Sequence, residues 1–116
     1  MSVDVLTFAR FKLRMMQKYP DAVIGIQNWG DFLRIETLRL HPTNQGKGRG
    51  SAIMRDVNKF ADAHDLRVGV TPDPVYGGNM QRLRRFYPRF GYVRNRGRHH
   101  DPEISDSYVR EPARKL

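Results

Sequence analysis

The apolar positions of this chain follow helical spacing in some segments and strand-like spacing in others. Residues 3–18 mix apolar and basic side chains, contain no Gly or Pro, and end before Tyr19-Pro20, which predicts an amphipathic helix. Residues 22–27 are rich in β-branched side chains, 28–31 are turn formers and 32–40 are again largely apolar. This pattern predicts a hairpin of two strands.

The rest of the chain continues the alternation of helices and strands. The glycine-rich residues 45–50 precede apolar side chains at helical spacing through Asp65, and another helical segment starts after Asn79 and ends at Gly91. The strands predicted in this half are residues 66–70, 92–95 and 104–109. The order α-β-β-α-β-α-β-β predicts a single α/β domain, residues 1–116, with a mixed, mostly antiparallel sheet flanked by helices.

Composition and charge limit the classes of function. Of the 116 residues, 39% are hydrophobic, which is enough for a modest core. The absence of cysteine excludes a disulfide scaffold, a thiolate zinc site and a cysteine nucleophile, and it suits a cytoplasmic protein. No apolar run approaches the roughly 18 to 20 residues that cross a bilayer, so we expect no membrane partner. The net charge of +9 predicts an anionic partner: nucleic acid, an acidic protein or a phosphorylated cofactor.

The string QGKGRG, residues 45–50, lies between a predicted strand and a predicted helix. Glycines let a backbone approach its ligand closely, and the first amides of a helix attract anions. This turn is therefore a candidate pyrophosphate site, with Lys47 and Arg49 adding positive charge. A P-loop needs different spacing, and a dinucleotide fingerprint needs glycine where the chain has Ser51. The alternative is a flexible basic loop without a ligand.

Two segments resemble the motifs of the GNAT superfamily of N-acetyltransferases. Residues 38–54 are similar to its cofactor-binding motif, Gln/Arg-x-x-Gly-x-Gly/Ala, which Gln45, Gly48 and Gly50 match. Residues 79–92 are similar to its other motif, a helix that starts with Asn and ends in an aromatic residue, Tyr, two or three residues and Gly-Phe/Tyr. The motifs occur in the family's order, with a predicted strand between them.

The resemblance implies that acetyl-coenzyme A (acetyl-CoA) binds in a V-shaped cleft between two splayed parallel strands, residues 32–40 and 66–70. The pantetheine arm would pair with the main chain near Leu38 and Leu40, like an additional strand. The residues implied for the pyrophosphate are Gln45, Gly46, Lys47, Gly48, Arg49, Gly50 and Ser51. Asn79 resembles the family's cofactor-contacting asparagine, and it would serve equally well as an ordinary helix N-cap.

The implied reaction is direct attack of a primary amine on the thioester. Tyr87 resembles the family's general acid, whose phenol donates to the departing thiolate; the alternative is core packing beside Leu83 and Phe90. Glu36 is the candidate general base, because it lies on the strand that borders the thioester and shares its strand parity with the two leucines that follow. Its alternative role is an ion pair with a neighbouring arginine.

The segment from Arg82 to Arg98 contains seven arginines, both ends included, and no acidic residue. Interleaved aromatic residues favour nucleic-acid binding, although these aromatics fall at predicted core positions. The arginines would alternatively hold the 3′-phosphate of coenzyme A or attract an acidic acceptor. His99-His100-Asp101 lacks the spacing of a recognised metal site, so no metal is predicted.

The chain has one predicted helix before the hairpin, where members of the family usually carry a strand and two helices that cover the acceptor. The resemblance therefore implies an open acceptor side, which suits a lysine or an N-terminal amine on a protein. The alternatives are a small-molecule amine, an aminoacyl group on tRNA, or a basic nucleic-acid-binding module with the same fold and no chemistry. The oligomeric state stays open, with a homodimer among the options.

Overall fold

Three α-helices, five β-strands and short 3₁₀ turns make up the regular structure of the described residues, which are 3–41, 43, 46–73 and 80–113 of the computed structural model. The helices are α1 (Val5–Lys18), α2 (Arg49–Ala63) and α3 (Met80–Phe86). The strands are β1 (Ala22–Asn28), β2 (Phe32–Leu40), β3 (Arg67–Val70), β4 (Val93–Arg94) and β5 (Tyr108–Arg110). The 3₁₀ turns Tyr87–Phe90 and Gly97–His99 flank β4. The predicted order of helices and strands is confirmed, with β4 and β5 shorter than predicted.

The five strands form one sheet in the order β1-β2-β3-β5-β4. The neighbours β2 and β3 run parallel, with α2 as their crossover, and the other described pairs are antiparallel. The mixed, mostly antiparallel α/β architecture predicted from the sequence is thereby confirmed. Among the described residues, no helix combines the length and the apolar character required to cross a bilayer.

Local sequence sets the helix ends. Asp4 caps α1, because its Oδ1 accepts a hydrogen bond from the Thr7 amide at 2.8 Å and so satisfies one of the free amides of the first turn. Pro88 disfavours α-helical geometry at the residue before it, and α3 accordingly ends at Phe86, where the 3₁₀ turn begins. Gly91 ends that turn in the left-handed conformation, with φ of 90°.

The main core lies on one face of the sheet, beneath α1 and α2. Phe11 of α1 stacks on Phe60 of α2, with ring centroids 4.0 Å apart, and both helices bury apolar residues against the paired Leu33 and Val68 of β2 and β3. Successive strand residues point to opposite faces, so Phe32 joins a small second cluster with Ile104 and Val109 on the other face. Helices therefore cover one face, and the segment 95–107 contributes to the cover of the other.

A β-bulge interrupts the β1–β2 pairing. Ile26 is paired with Ile35 and Gly25 with Thr37, so Glu36 is an extra residue of β2. The bulge shifts the alternation by one position, and the leucines at 38 and 40 therefore pack against the main core together with Ile35. The prediction that Glu36 shares its parity with those leucines is wrong, because it assumed an unbroken strand.

Candidate active site

A small cavity of about 40 Å³ lies where β2 and β3 stop pairing. Its lining residues are Ile35, Glu36, Leu38, Val70, Thr71, Asp73, Leu83 and Tyr87. They come from β2, the end of β3 and the loop after it, α3, and the 3₁₀ turn that follows α3. The structure thus brings Glu36 and Tyr87, which are 51 positions apart in sequence, to the same cavity.

The cavity exists because the two parallel strands differ in length beyond their paired segment. The parallel register joins Phe32–Ile35 to Arg67–Val70, and β2 then continues to Leu40. The bulge at Glu36 increases the local twist of β2 at this point. After Val70 the chain enters Thr71-Pro72, and proline has no amide to continue the ladder. Together these features accompany the end of the pairing between the two strands, beyond which Glu36 and Leu38 of β2 line the cavity.

Tyr87 is held in the core by aromatic neighbours. Its side chain is 4% exposed, and its ring lies 5.2 Å from Phe86, 5.8 Å from Tyr92 and 6.4 Å from Tyr108 between centroids. Burial raises the pKa of the Tyr87 hydroxyl to about 12. The described residues provide no hydrogen-bond partner for this hydroxyl, so it is a protonated donor at neutral pH that remains available to a ligand in the cavity.

Glu36 is exposed and oriented by side chains of β1 and the hairpin turn. Its Oε2 accepts a hydrogen bond from Nε2 of Gln27 at 3.1 Å, and Oε1 of Gln27 accepts one from Nε1 of Trp29 at 2.9 Å. No ion pair of Glu36 is found within the described residues. Its neighbour Arg34 pairs instead with Asp106, so the alternative of a Glu36–arginine ion pair does not describe this site.

A polar network around the buried Asp106 supports the end of β3. The carboxylate of Asp106 accepts from Nε of Arg34 at 2.8 Å and from the hydroxyl of Thr71 at 2.9 Å, and that hydroxyl accepts from the Ser107 amide at 3.2 Å. The carboxylate packs directly against Gly69, where a larger residue would clash, because a Cβ at this position would lie 2.6 Å from Oδ2 of Asp106. The network fixes Thr71, which lines the cavity.

The glycine-rich turn approaches the cavity from the end of β2. Gly46 and Gly48 both have φ of +78°, a conformation that favours glycine, and Gly48 is the N-cap of α2. Gly50 has ordinary helical geometry, and its Cβ position lies 3.7 Å from the Leu40 side chain and 3.5 Å from that of Phe86. The amides of the first turn of α2 lack acceptors within the helix. These amides therefore form an anion-attracting edge beside the outer half of β2.

The remaining predicted cofactor residues lie around this turn or outside the described residues. Lys47 is exposed. Arg49 forms an ion pair with Asp21, in which Nη2 of Arg49 lies 3.6 Å from Oδ2 of Asp21. The predictions for Gln45 and Asn79 fall outside the residues that the structure describes. Within the described part of the chain, no group of three or more His, Asp or Glu side chains converges as metal ligands would.

Comparisons of this chain with protein-family models, with curated proteins and with solved structures found no match. What can be inferred about its function depends on the sequence motifs and on the geometry around the cavity.

Sequence reasoning missed Asp106, Thr71 and Gly69. Asp106 and Thr71 are 35 positions apart, and no local pattern relates them. Gly69 did offer a signal, because a glycine inside a short buried-type strand often marks a close approach by another group. Bulky β-branched neighbours on either side make that signal clearer.

Proposed function

We propose that this protein is an acetyl-CoA-dependent N-acetyltransferase. One observation carries the proposal: the parallel strands β2 and β3 stop pairing beside a cavity that Glu36 and Tyr87 both line, and β2 continues from there to Leu40, against which Gly50 of the glycine-rich segment lies. This arrangement supports the resemblance of the two sequence motifs to the GNAT superfamily, because it gives each motif a part in one site.

The cofactor would extend from the turn to the cavity. The amides of Gly46 to Ser51 are suited to its pyrophosphate, since anions bind at helix N-termini where free amides and the helix dipole act together. The main chain of Leu38 and Leu40 would pair with the pantetheine arm in the manner of strand addition. Gln45 and Asn79 stay predictions for the same cofactor.

The acetyl group moves in one displacement. The amine nitrogen attacks the thioester carbonyl, the C–N bond forms, the C–S bond breaks, and coenzyme A leaves as a thiolate. One proton must leave the attacking nitrogen, and Glu36 is placed to accept it, directly or through water. The carboxylate is kept in position by its hydrogen bond from Gln27.

Tyr87 acts on the leaving group. Its phenol, with a pKa of about 12, is a much weaker acid than a thiol, whose unperturbed pKa is ~8.5. Full proton transfer to the thiolate is therefore uphill, and we assign Tyr87 the role of a hydrogen-bond donor that stabilises the thiolate as it forms. The proton that completes the thiol then comes from solvent.

The acceptor is proposed to be a lysine or N-terminal amine on a protein. The sheet face that carries Gln27 and Glu36 is exposed near the hairpin, where Trp29 is 54% and Val23 56% exposed. An open face of this kind admits an amine presented by a macromolecule. A small-molecule amine and aminoacyl-tRNA are the competing acceptors.

The deciding experiment measures cofactor binding and transfer separately. Thermal unfolding is followed with and without acetyl-CoA, since a ligand at 100 times its Kd adds about 2.7 kcal/mol of stability. Radiolabelled acetyl-CoA is then offered with lysine peptides, peptides with free N-termini, a panel of small amines and aminoacyl-tRNA. We expect stabilisation by acetyl-CoA and label in peptides. If acetyl-CoA does not stabilise the protein and no acceptor takes up label, the proposed function is refuted.

A further inference from the structure

The positive charge of the chain is concentrated in one stretch of its sequence. Positions 74–100 contain seven arginines and no Asp or Glu. These arginines are all exposed, and for six of them the described residues provide no carboxylate partner. These six are Arg84, Arg85, Arg89, Arg94, Arg96 and Arg98, which we call the arginine surface.

Elsewhere the charges largely compensate one another. The carboxylates of Asp106, Asp62 and Asp56 pair with Arg34, Arg110 and Lys18 at 2.8, 2.7 and 2.9 Å. Arg67 is likewise enclosed by the carboxylates of Asp31, Asp101 and Glu103. The net charge of +9 therefore produces its strongest positive potential over the arginine surface.

The fold presents this surface on an anchored backbone. The arginines lie on α3, the two 3₁₀ turns and the edge strand β4, except Arg96, which directly precedes the second turn. The carbonyl oxygen of Phe90 accepts hydrogen bonds from Nδ2 of Asn58 and Nε of Arg110, both at 3.1 Å. The side chain of Asn95 donates to the carbonyls of Ile104 at 2.7 Å and Asp106 at 2.9 Å.

The chemistry of the surface favours phosphates as its ligand. Guanidinium groups form bidentate hydrogen bonds with phosphate oxygens and stay charged at any physiological pH. The aromatic side chains nearby cannot form a stacking platform for bases, because Tyr87 and Tyr92 are buried and Phe86 and Phe90 pack against the main core. Recognition would therefore depend on the phosphate backbone and not on the bases.

An acidic protein fits this surface less well than a nucleic acid does. Protein interfaces generally contain an apolar centre with aromatic or aliphatic anchors. Among the described residues from 80 to 100, Val93 is the one large hydrophobic residue that is exposed, at 41%. A duplex, by contrast, presents one negative charge per ~1.7 Å of its axis and needs no apolar anchor.

We propose that the arginine surface binds the phosphate backbone of a nucleic-acid duplex without reading its sequence. The binding does not depend on acetyl transfer, and it goes beyond the proposed function. Since α3 also places Leu83 in the cavity lining, a bound duplex would lie close to the candidate active site.

The test uses the full chain and fluorescence anisotropy with a labelled 24-base-pair duplex, in DNA and RNA forms and in two unrelated sequences, without acetyl-CoA. Six phosphate contacts predict a slope of about −5 in a plot of log K against log[salt]. Replacing Arg84, Arg85 and Arg89 together by Gln should reduce that slope to about −3 and weaken binding by roughly 500-fold at 100 mM salt. Both sequences, and the DNA and RNA forms, should bind within about tenfold of one another, because the phosphates are common to all.

The matched control replaces Arg10, Lys12 and Arg14 by Gln. These residues are exposed on α1, so the control lowers the net charge equally on a different surface. We expect it to weaken duplex binding by no more than about threefold. Thermal unfolding of both variants checks that they are folded.

Several results would overturn the proposal. Equal losses in the two triple variants would show binding by net charge alone. Binding of a polyglutamate peptide as tight as that of the duplex would indicate an acidic protein partner. Loss of acetyl-CoA binding in the variant at positions 84, 85 and 89, together with displacement of the duplex by acetyl-CoA, would assign the arginines to the cofactor's phosphates. Acetyl transfer is assayed without nucleic acid, so either proposal can fail alone.

Discussion

At the scale of single residues, the candidate site combines two side chains whose surroundings differ sharply. Tyr87 is almost fully buried, and its pKa is raised to about 12, whereas Glu36 is exposed and oriented by Gln27. A buried phenol is fixed in one position and stays protonated. An exposed carboxylate can exchange protons with water. These are the properties required of a thiolate-stabilising donor and a proton acceptor, respectively.

Replacing Tyr87 by Phe tests the role of its hydroxyl. We expect kcat to fall by about 10²-fold, because one preorganised donor to the developing anion is lost, while the KM for acetyl-CoA changes little. In the wild-type protein the contribution of Tyr87 should persist throughout pH 6–9, since its pKa is about 12. Both effects are measured by steady-state kinetics over that pH range.

The control for this substitution is Tyr108→Phe. Tyr108 is also buried and its ring lies 6.4 Å from that of Tyr87, but it does not line the cavity. We expect its removal to leave kcat nearly unchanged. Wild-type kcat in Tyr87→Phe would exclude the hydroxyl from catalysis and leave it a packing role.

At the scale of secondary-structure elements, the site depends on how β2 ends and α2 begins. The bulge at Glu36 turns the leucines at 38 and 40 toward the core, and the turn after β2 places the first amides of α2 beside Phe86. The conformation of that turn requires glycine at 46 and 48, where φ is positive. The same strand therefore ends in an anion-attracting edge and borders the cavity.

Gly48→Val should damage this edge. A β-branched residue is strained at φ of +78°, so we expect the free energy of unfolding to fall by about 1–3 kcal/mol and acetyl-CoA to bind at least tenfold more weakly. Chemical denaturation and calorimetric titration measure the two effects. Gly50→Ala is the control for stability, since its Cβ would meet Phe86 and Leu40 at ordinary contact distances. Unchanged acetyl-CoA affinity in Gly48→Val would separate the turn from the cofactor.

The elements were predictable from sequence where the signal was local. Helical spacing, the Asn28–Asp31 turn and Pro88 gave the order and most boundaries of the elements. The bulge was not predictable, because its effect appears only in the register between β1 and β2, and the parity assigned to Glu36 failed for that reason. Contacts such as Arg34 with Asp106, 72 positions apart, depend on the folded sheet and leave no periodic pattern.

At the scale of the whole molecule, an ion pair joins β5 to helix α2. Arg110 of β5 donates to both oxygens of Asp62 on α2, at 2.7 and 3.0 Å, and also to the carbonyl of Phe90. Gly91 adds to this junction, since its Cβ position lies 3.4 Å from Nε of Arg110. The strand that borders the arginine surface is thereby tied to the core, which supports a fixed presentation of that surface.

Acid should weaken this junction in a defined direction. In the folded protein, hydrogen bonds from Arg110, and secondarily from the Ala113 amide, hold the pKa of Asp62 below its ordinary value. In the unfolded chain the pKa of this carboxyl is ~3.9. A carboxyl whose folded pKa is depressed contributes stability that is present above the unfolded pKa and is lost as the pH falls toward the folded one. The contribution of Asp62 to the free energy of unfolding should therefore be nearly constant between pH 5 and 7 and decline below about pH 4. In Asp62→Asn the slope of that decline should be smaller by up to about 1.4 kcal/mol per pH unit, measured by urea denaturation at each pH. Asp65→Asn is the control, since Asp65 is exposed and lies outside the described ion pairs. An equal change of slope in both variants would show that the Asp62–Arg110 pair has no special part in acid stability.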